Sequence, residues 1–423
     1  NELRNINGKI RYANDEIELD SFNFMQGDGS FDLSANFNLS TKRVRGDLVV
    51  KNSDVAGLLE ILNVKQDWLF GKLNGDIHLE GSTEKPKVRI NGTIENGFLK
   101  KYPLDDVSLD VFVDGRVINI EKFYAKQGHG ILVAKGTADL DGDLNFEVAG
   151  QSIHAALLTD LMDLDIDTKG TLDFGSQVFG TASSPKANLS MEIKGGGIGG
   201  ATFDSLYGMC TLNEGIIDVQ QILLTKGEYK ASAYGIVPLA ALTKTDNVDV
   251  KEQMNLKVSL DQADLSILPF LTKEIEWGRG NTNGNLVITG SLLQPLINGN
   301  ITVNDGTLKL KHLGKPIQKM AVDIQFLNDR IDVQTFDGVM GDGSYQLRGR
   351  AFIGANGLKD YSLTLNLNDL DIVNKYYTGP LNGLLSLEDD KGVPKVVGNV
   401  DLANCTVDIP MLPDTEDGFP SVK

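Results

Sequence analysis

Residues Gly71–Ile94 read GKLNGDIHLEGSTEKPKVRINGTI, and their alternation decides the fold class. Leu73, Ile77 and Leu79 are interleaved with Lys72, Asn74, Asp76, His78 and Glu80. After a turn, Val88, Ile90 and Ile94 are interleaved with Lys87, Arg89, Asn91 and Thr93. A period of two puts the apolar side chains on one face of a half-buried strand and the polar ones on the other. Between the runs, Gly81–Pro86 (GSTEKP) has turn chemistry and ends on a proline, which has no N–H for a ladder and belongs at a strand's start.

The same design recurs. Gly180–Pro185 (GTASSP) leads into Ala187, Leu189 and Met191, and Gly290–Pro295 (GSLLQP) into Ile297, Gly299 and Ile301. A looser copy, Leu387–Lys395 around Pro394, leads into Val396, Gly398 and Val400. The prolines Pro86, Pro185, Pro295 and Pro394 are spaced by 99, 110 and 99 residues. A second landmark has nearly the same period: Gly27-Asp28-Gly29, Gly128-His129-Gly130, Gly227-Glu228-Tyr229 and Gly341-Asp342-Gly343. Two landmarks with one period make this a repeat protein. The expected division is 1–53 (partial lap), 54–152, 153–263, 264–367 and 368–423 (partial lap), as one array. The extra residues of the lap that follows Pro185 fall near Pro238–Lys251, where a loop absorbs them.

Most of each lap reads as strand. Val107, Leu109, Val111 and Val113 alternate with polar residues, as do Leu144, Phe146 and Val148. So do Met254, Leu256, Val258 and Leu260, then Val322, Ile324 and Phe326, then Leu363, Leu365 and Leu367. Each lap also carries one short helical candidate. Val55, Leu58, Leu59 and Leu62 follow the capping residues Asn52-Ser53-Asp54; the others are Ile153–Leu164, Asp264–Glu274 with Pro269 in its first turns, and Asp369–Tyr377. Six or so strands per lap give about two dozen antiparallel strands with one wet and one dry face. That dry face closes into stacked sandwiches or a barrel, or lines a trough of roughly 115 Å at about 4.8 Å per strand.

The chain has 423 residues, a net charge of −18 and a pI near 4.7, which argues against a nucleic-acid partner and against adhesion to anionic headgroups. The acidic residues are spread along the strands as a solvated outer surface. Cys210 and Cys405 sit at non-equivalent positions and read as free thiols. No run of eighteen apolar residues suits a membrane-spanning helix. Asn1 and Lys423 both fall inside a lap, which predicts a piece of a longer chain whose anchor lies elsewhere.

Motifs for chemistry dissolve on inspection. Gly195, Gly197 and Gly200 satisfy G-x-G-x-x-G, but the repeat aligns them with Asn96-Gly97 and Asp305-Gly306, which read as hairpin turns. His78, His129, His154 and His312 are scattered, and His129 occupies a polar turn slot. Asp163, Asp165 and Asp167 lack the glycine and terminal glutamate of a calcium loop. Neither a nucleophile elbow nor a distinctive acid pair is present, so an enzyme, a metal or a cofactor is not expected. The apolar alternation remains. It is ordinary core if covered, and an interaction surface for hydrocarbon if left open.

The ordered pattern of Gly71-Lys72-Leu73-Asn74-Gly75, Gly81–Gly92, Gly180–Ala187 and Gly290–Gly299, with G-D-G turns at Gly27 and Gly341, resembles the TamB branch of the AsmA-like envelope proteins of diderm bacteria. The fourth lap departs, with Leu387-Glu388-Asp389 where Gly-Ser would stand. The resemblance implies a translocation and assembly module component: anchored in the inner membrane, crossing the periplasm, with a sheet curled lengthwise into an open hydrophobic groove. It implies transport of phospholipid between the two membranes, with acyl chains as the occupant. An alternative role is a scaffold for outer-membrane β-barrel biogenesis beside a TamA- or BamA-like barrel, offering its sheet edge by β-augmentation. A passive structural array is a third. The groove-lining residues expected from the alternation are Leu73, Ile77, Leu79, Val88, Ile90, Val107, Leu109, Val111, Leu144, Phe146, Val148, Leu189, Met191, Met254, Leu256, Val258, Leu286, Ile288, Ile301, Val322, Ile324, Phe326, Leu363, Leu365 and Leu367.

Overall fold

The computed structural model describes residues 3–57, 68–139, 142–161, 167–181, 183–198, 201–227, 229–239, 254–265, 275–290, 295–354, 357–390, 393–402 and 404–407. Of the sequence expectations, residues 58–62, Asp163, Leu164, Asp165, Gly200, Glu228, Pro269 and most of 238–251 lie outside the described residues.

The strands of the first part are β1 (Leu3–Ala13), β2 (Glu16–Gln26), β3 (Gly29–Asn38), β4 (Arg43–Asp54), β5 (Leu69–Ser82), β6 (Pro86–Leu99), β7 (Tyr102–Leu104) and β8 (Asp106–Asp114). There follow β9 (Val117–Gln127), β10 (Gly130–Asp139), β11 (Asp143–His154), the helix α1 (Ala155–Leu161), β12 (Thr168–Thr181), β13 (Ser184–Ile198), β14 (Ala201–Asn213), β15 (Ile216–Lys226) and β16 (Tyr229–Pro238). The rest are β17 (Met254–Asp264), β18 (Ile275–Gly290), β19 (Pro295–Leu310), β20 (Ile317–Asn328), β21 (Arg330–Met340), β22 (Gly343–Gly354), β23 (Gly357–Val373), β24 (Tyr377–Asp390), β25 (Val393–Asp401) and β26 (Thr406–Val407). The fold is all-β: one repetitive antiparallel sheet of 26 strands, not closed into a barrel.

The chain divides into two compact units, residues 1–225 with 234–249, and residues 226–233 with 250–423. In the first, consecutive strands pair antiparallel from β1 to β15, with β6 bonding directly to β8. In the second, the same neighbour-to-neighbour pairing runs from β17 to β25. The opening stretch is the hairpin β5–β6, with Leu73 opposite Ile94, Ile77 opposite Ile90 and Leu79 opposite Val88. Pro86 begins β6, and Pro295 begins β19, where the missing N–H costs no ladder bond.

Two irregularities recur with the repeat. In the first, two residues of one strand oppose a single residue of the next: Asn52, Ser152, Gln262 and Asp369 each supply the extra residue, with φ between 47° and 55°. Every one of these backbone N–H groups donates to the side-chain oxygen of the opposed residue: Asn74 (2.8 Å), Asp173 (2.7 Å), Asn283 (3.0 Å) and Asn382 (2.7 Å). The bulge frees an N–H from the ladder, and the Asn or Asp amide or carboxylate satisfies it.

The second irregularity corrects the sequence reading. Asn96-Gly97 and Asp305-Gly306 are not hairpin turns; they lie inside the unbroken strands β6 and β19. Asn96-Gly97, Gly195-Gly196 and Asp305-Gly306 each oppose one glycine, Gly71, Gly170 or Gly280. Asn96, Gly195 and Asp305 take φ of 48°, 53° and 52°. An Asn-Gly or Asp-Gly pair favours a left-handed residue, and a bulge uses that preference as readily as a turn. The facing glycines are needed for contact: a Cβ on Gly170 would lie 2.7 Å from the Gly196 Cα, and one on Gly280 2.6 Å from that of Gly306. Gly195 of G-x-G-x-x-G therefore serves a bulge inside β13, with no helix opening there.

The helical expectation is met at α1, which puts Ala155 and Leu157 in the core with Leu158 and Leu161 against it. Asp54 Oδ1 caps a first turn by accepting the Ala56 N–H at 2.9 Å. Asp369–Tyr377 is not helical. Ile372 and Val373 stay in β23, opposite Gly379 and Thr378. From the bulge residue to the corresponding left-handed glycine takes 19, 18 and 18 residues in three laps (Asn52 to Gly71, Ser152 to Gly170, Gln262 to Gly280) and only ten from Asp369 to Gly379. Two helical turns do not fit in that length, and a tight turn closed by Asn374 N–H to Tyr377 O (2.9 Å) takes their place.

Candidate functional site

Register places the apolar residues in rows that run across the strands. In the first unit one row is Phe22, Leu33, Leu48, Ile77, Ile90, Val111, Ile120, Gly136, Phe146, Val178, Ala187, Leu212 and Ile217, each directly opposite the next. At about 4.8 Å per strand it follows roughly 60 Å of sheet. Leu79 and Val88 begin a neighbouring row through Val113, Ile118, Ala138 and Leu144. Another contains Leu109, Phe123, Ala134, Val148, Ser176, Leu189, Cys210 and Val219. Met191 lies opposite Phe174, and Leu73 opposite Ile94. In the second unit the longest row is Leu260, Gly284, Ile301, Ile324, Val333, Gly349, Leu363, Leu387 and Val396. Val258 and Leu286 lead to Gly299 and Phe326, while Leu256 and Ile288 lead to Ile297. Met254 opposes Gly290, and Leu365 lies between Leu347 and Leu385.

Burial separates these residues. Val107 (0% exposed), Val322 (8%) and Leu367 (6%) are buried, and a ligand cannot reach them. The other expected lining residues are half-buried, neither in a sealed core nor projecting free. Val107 belongs to a closed cluster of fourteen buried residues in which Ala155 and Leu157 of α1 and Leu172, Ile193, Phe203 and Leu206 of the sheet meet. The apolar face is therefore covered at its bulged end and partly accessible along the rows.

The sequence reading missed Phe123, Leu132, Phe174 and Val178. On β9 the cause is explicit: a bulge between Asp110 and Val111 on its partner's ladder leaves Glu121 as an extra residue. The inward parity moves from Ile118 and Ile120 to Phe123 and Ala125, and a strict period of two loses the register there. Glycines in the rows carry no apolar signal either, yet Gly136 leaves space for the Phe146 ring, which a Cβ there would meet at 2.8 Å, and Gly299 opposes Phe326.

The opposite face is polar and cross-linked by charge. His78 Nδ1 lies 2.6 Å from Asp47 Oδ1, and Arg89 bridges Asp110 (3.1 Å) and Glu121 (3.0 Å). The hydrogen bond from Arg89 holds the Glu121 carboxyl below its ordinary range. Asp173 is lowered too, first by the Ser152 N–H and then by Lys194 at 3.0 Å. On the apolar side, burial pushes the Cys210 thiol up. Among the described residues Cys210 and Cys405 are free, no three His, Cys, Asp or Glu side chains gather as a metal site, and no helix is long and apolar enough to cross a membrane.

Residues 225–335, which run from the end of β15 into β21, match the family model of the TamB C-terminal domain. No curated protein and no solved structure matches the chain. The match agrees with the lap-by-lap resemblance read from the sequence. It covers 111 of the 423 residues and supports a TamB/AsmA-like assignment, a family of the bacterial cell envelope.

Proposed function

We infer that the open apolar rows carry the acyl chains of phospholipid across the periplasm between the inner and outer membranes. The observation that carries the reading is the row from Phe22 to Ile217, in which every position is apolar or glycine and each faces the next in register. Two sixteen-carbon chains face a cost of about 25 kcal/mol in leaving a bilayer for water, at ~0.8 kcal/mol per CH₂. Half-buried Val, Ile and Leu side chains remove most of that cost for a chain lying along them. Interchangeable aliphatic positions offer no deep well, so a lipid slides, while its headgroup stays in water.

The test is lipid transfer by the full chain with Val111→Asp or Ile288→Arg. A charge on the row is expected to reduce transfer at least tenfold without unfolding the protein, because both side chains are half-buried. Transfer at the parental rate in both variants would remove the conduit reading.

A second reading draws on β25, whose Val393, Val396 and Val397 are 64, 62 and 47% exposed. Among the described residues β25 pairs only with β24, so its other edge suits addition of a strand from a nascent outer-membrane barrel. That role needs the backbone edge and not the rows. Proline at Val396 would abolish it, and Val111→Asp would leave it intact.

A further inference from the structure

At the bulged end of the first unit, a cavity of about 560 Å³ is walled by Tyr102, Pro103, Ala155 and Ala156 and rimmed by Asp105, Gln127, Gly128, His154, Thr168, Lys169 and Gly170. Gln127 sits on the same face of β9 as Phe123 and Ala125, so the cavity begins where that inward-facing line of side chains stops. Gln127 is 9% exposed. Its Oε1 accepts the His154 N–H at 3.3 Å, but its Nε2 is buried with no partner. An unmade hydrogen bond on a buried amide is costly, and native structures rarely leave one.

The fold does not require an amide here. The residue before the left-handed glycine is Gln127 in one lap and Met340 in another, where it is 1% exposed and packed in an apolar cluster. The other polar groups are largely committed: Asp105 Oδ2 accepts the Gly128 N–H at 2.6 Å, and the Tyr102 hydroxyl donates to Asp160 at 2.7 Å. Lys169 is exposed on the rim with no ion pair to a described residue. An orphan donor and an uncommitted cation lining one cavity, with apolar walls beside them, suit a ligand with anionic oxygens on a small organic body.

We propose that this cavity binds a phosphate ester, the Gln127 Nε2 donating to a phosphate oxygen and Lys169 supplying the counter-charge. The lipid form of the ligand rests on the conduit reading: a glycerophosphate headgroup here sets its acyl chains against Phe123. The site is then a resting place along the rows, where the headgroup is held while the chains stay in the groove.

Binding to the full chain is measured with three probes: dihexanoyl phosphatidylglycerol, glycerol 3-phosphate and dihexanoylglycerol. Gln127→Met is expected to weaken both phosphate probes about tenfold, to leave dihexanoylglycerol unchanged, and to raise or preserve thermal stability. Lys169→Ala is expected to weaken the same two probes and to reduce the salt dependence of their binding. Equal binding of the phosphate probes by parent and Gln127→Met, or no binding of either by the parent, overturns the cavity assignment even if dihexanoylglycerol binds. If glycerol 3-phosphate binds through Gln127 and neither diacyl compound gains from its chains, the cavity serves a free phosphate ester and the conduit reading fails by itself.

Discussion

The lap that ends at Ser152 and the lap that ends at Asp369 finish in the same pinned bulge but cover the sheet beyond it in different ways. After Ser152, α1 folds over the sheet end and drives Leu157 into a cluster with Leu172 and Phe203. After Asp369 no helix fits, and the connection between β19 and β20 performs the covering. That connection is longer than its counterpart: eight residues separate Leu308 from its partner Ile317, against two between Leu99 and Tyr102. Gly314 donates its N–H to Val373 O at 2.5 Å, Leu313 packs with Met340, Tyr345, Leu367 and Leu370, and Lys315 pairs with Asp371. A segment shortened in one connection is thus offset by length gained in the neighbouring one. Covering this end of the sheet is therefore a requirement of the fold, and the helix is one way of meeting it.

The comparison can be broken most directly at the covering side chains. Leu157→Ala empties a fully buried site and is expected to cost about 2–5 kcal/mol by chemical denaturation, while Leu313→Ala, half-buried on the loop, costs about 1 kcal/mol. Equal costs would mean that the loop covers its cluster as completely as the helix covers the other.

A smaller effect distinguishes the bulge pins. Three are asparagine and one is Asp173, whose carboxyl is held below its ordinary range by the Ser152 N–H and Lys194. A depressed folded-state value contributes stability that is present above the unfolded value, near 3.9, and is lost as pH falls through the folded one. Asp173→Asn keeps the acceptor for Ser152 and is expected to flatten the acid limb of the stability profile below about pH 4. An unchanged acid limb would assign that loss to other carboxylates.

The smallest expected change is at the loop's ion pair. Lys315 and Asp371 are 44 and 28% exposed, so Lys315→Ala should cost less than about 1 kcal/mol and lose even that at high salt. A larger, salt-independent cost would make the pair, and not Leu313, the anchor of the loop.

What was legible in the sequence follows from which signals are local. Alternation at Ile77, Ile90 and Val111 gave strand and face together, because a period of two leaves no freedom once one face is dry. The proline and glycine landmarks gave the lap length and the turns at Gly27, Gly128 and Gly341. The same local signals failed where one residue is inserted. Asn96-Gly97 and Gly195-Gly196 have the dihedral preference of a turn, and only the opposed strand shows that one glycine faces two residues. The parity change at Glu121 hid Phe123 for the same reason. The orphan donor of Gln127 had no sequence signature at all.

The amino-acid order by itself determined the antiparallel ribbon, its repeat, and which face is apolar, since those depend on side-chain period and on backbone-restricted residues. Tertiary structure alone decided how the sheet ends are covered, which apolar residues are sealed and which stay accessible, and where a polar atom is left without a partner. Each of those depends on contacts between segments tens of residues apart, and the Asp369–Tyr377 stretch shows the difference. Its local pattern permits a helix, and only the position of Gly379 across the strand leaves no room for one.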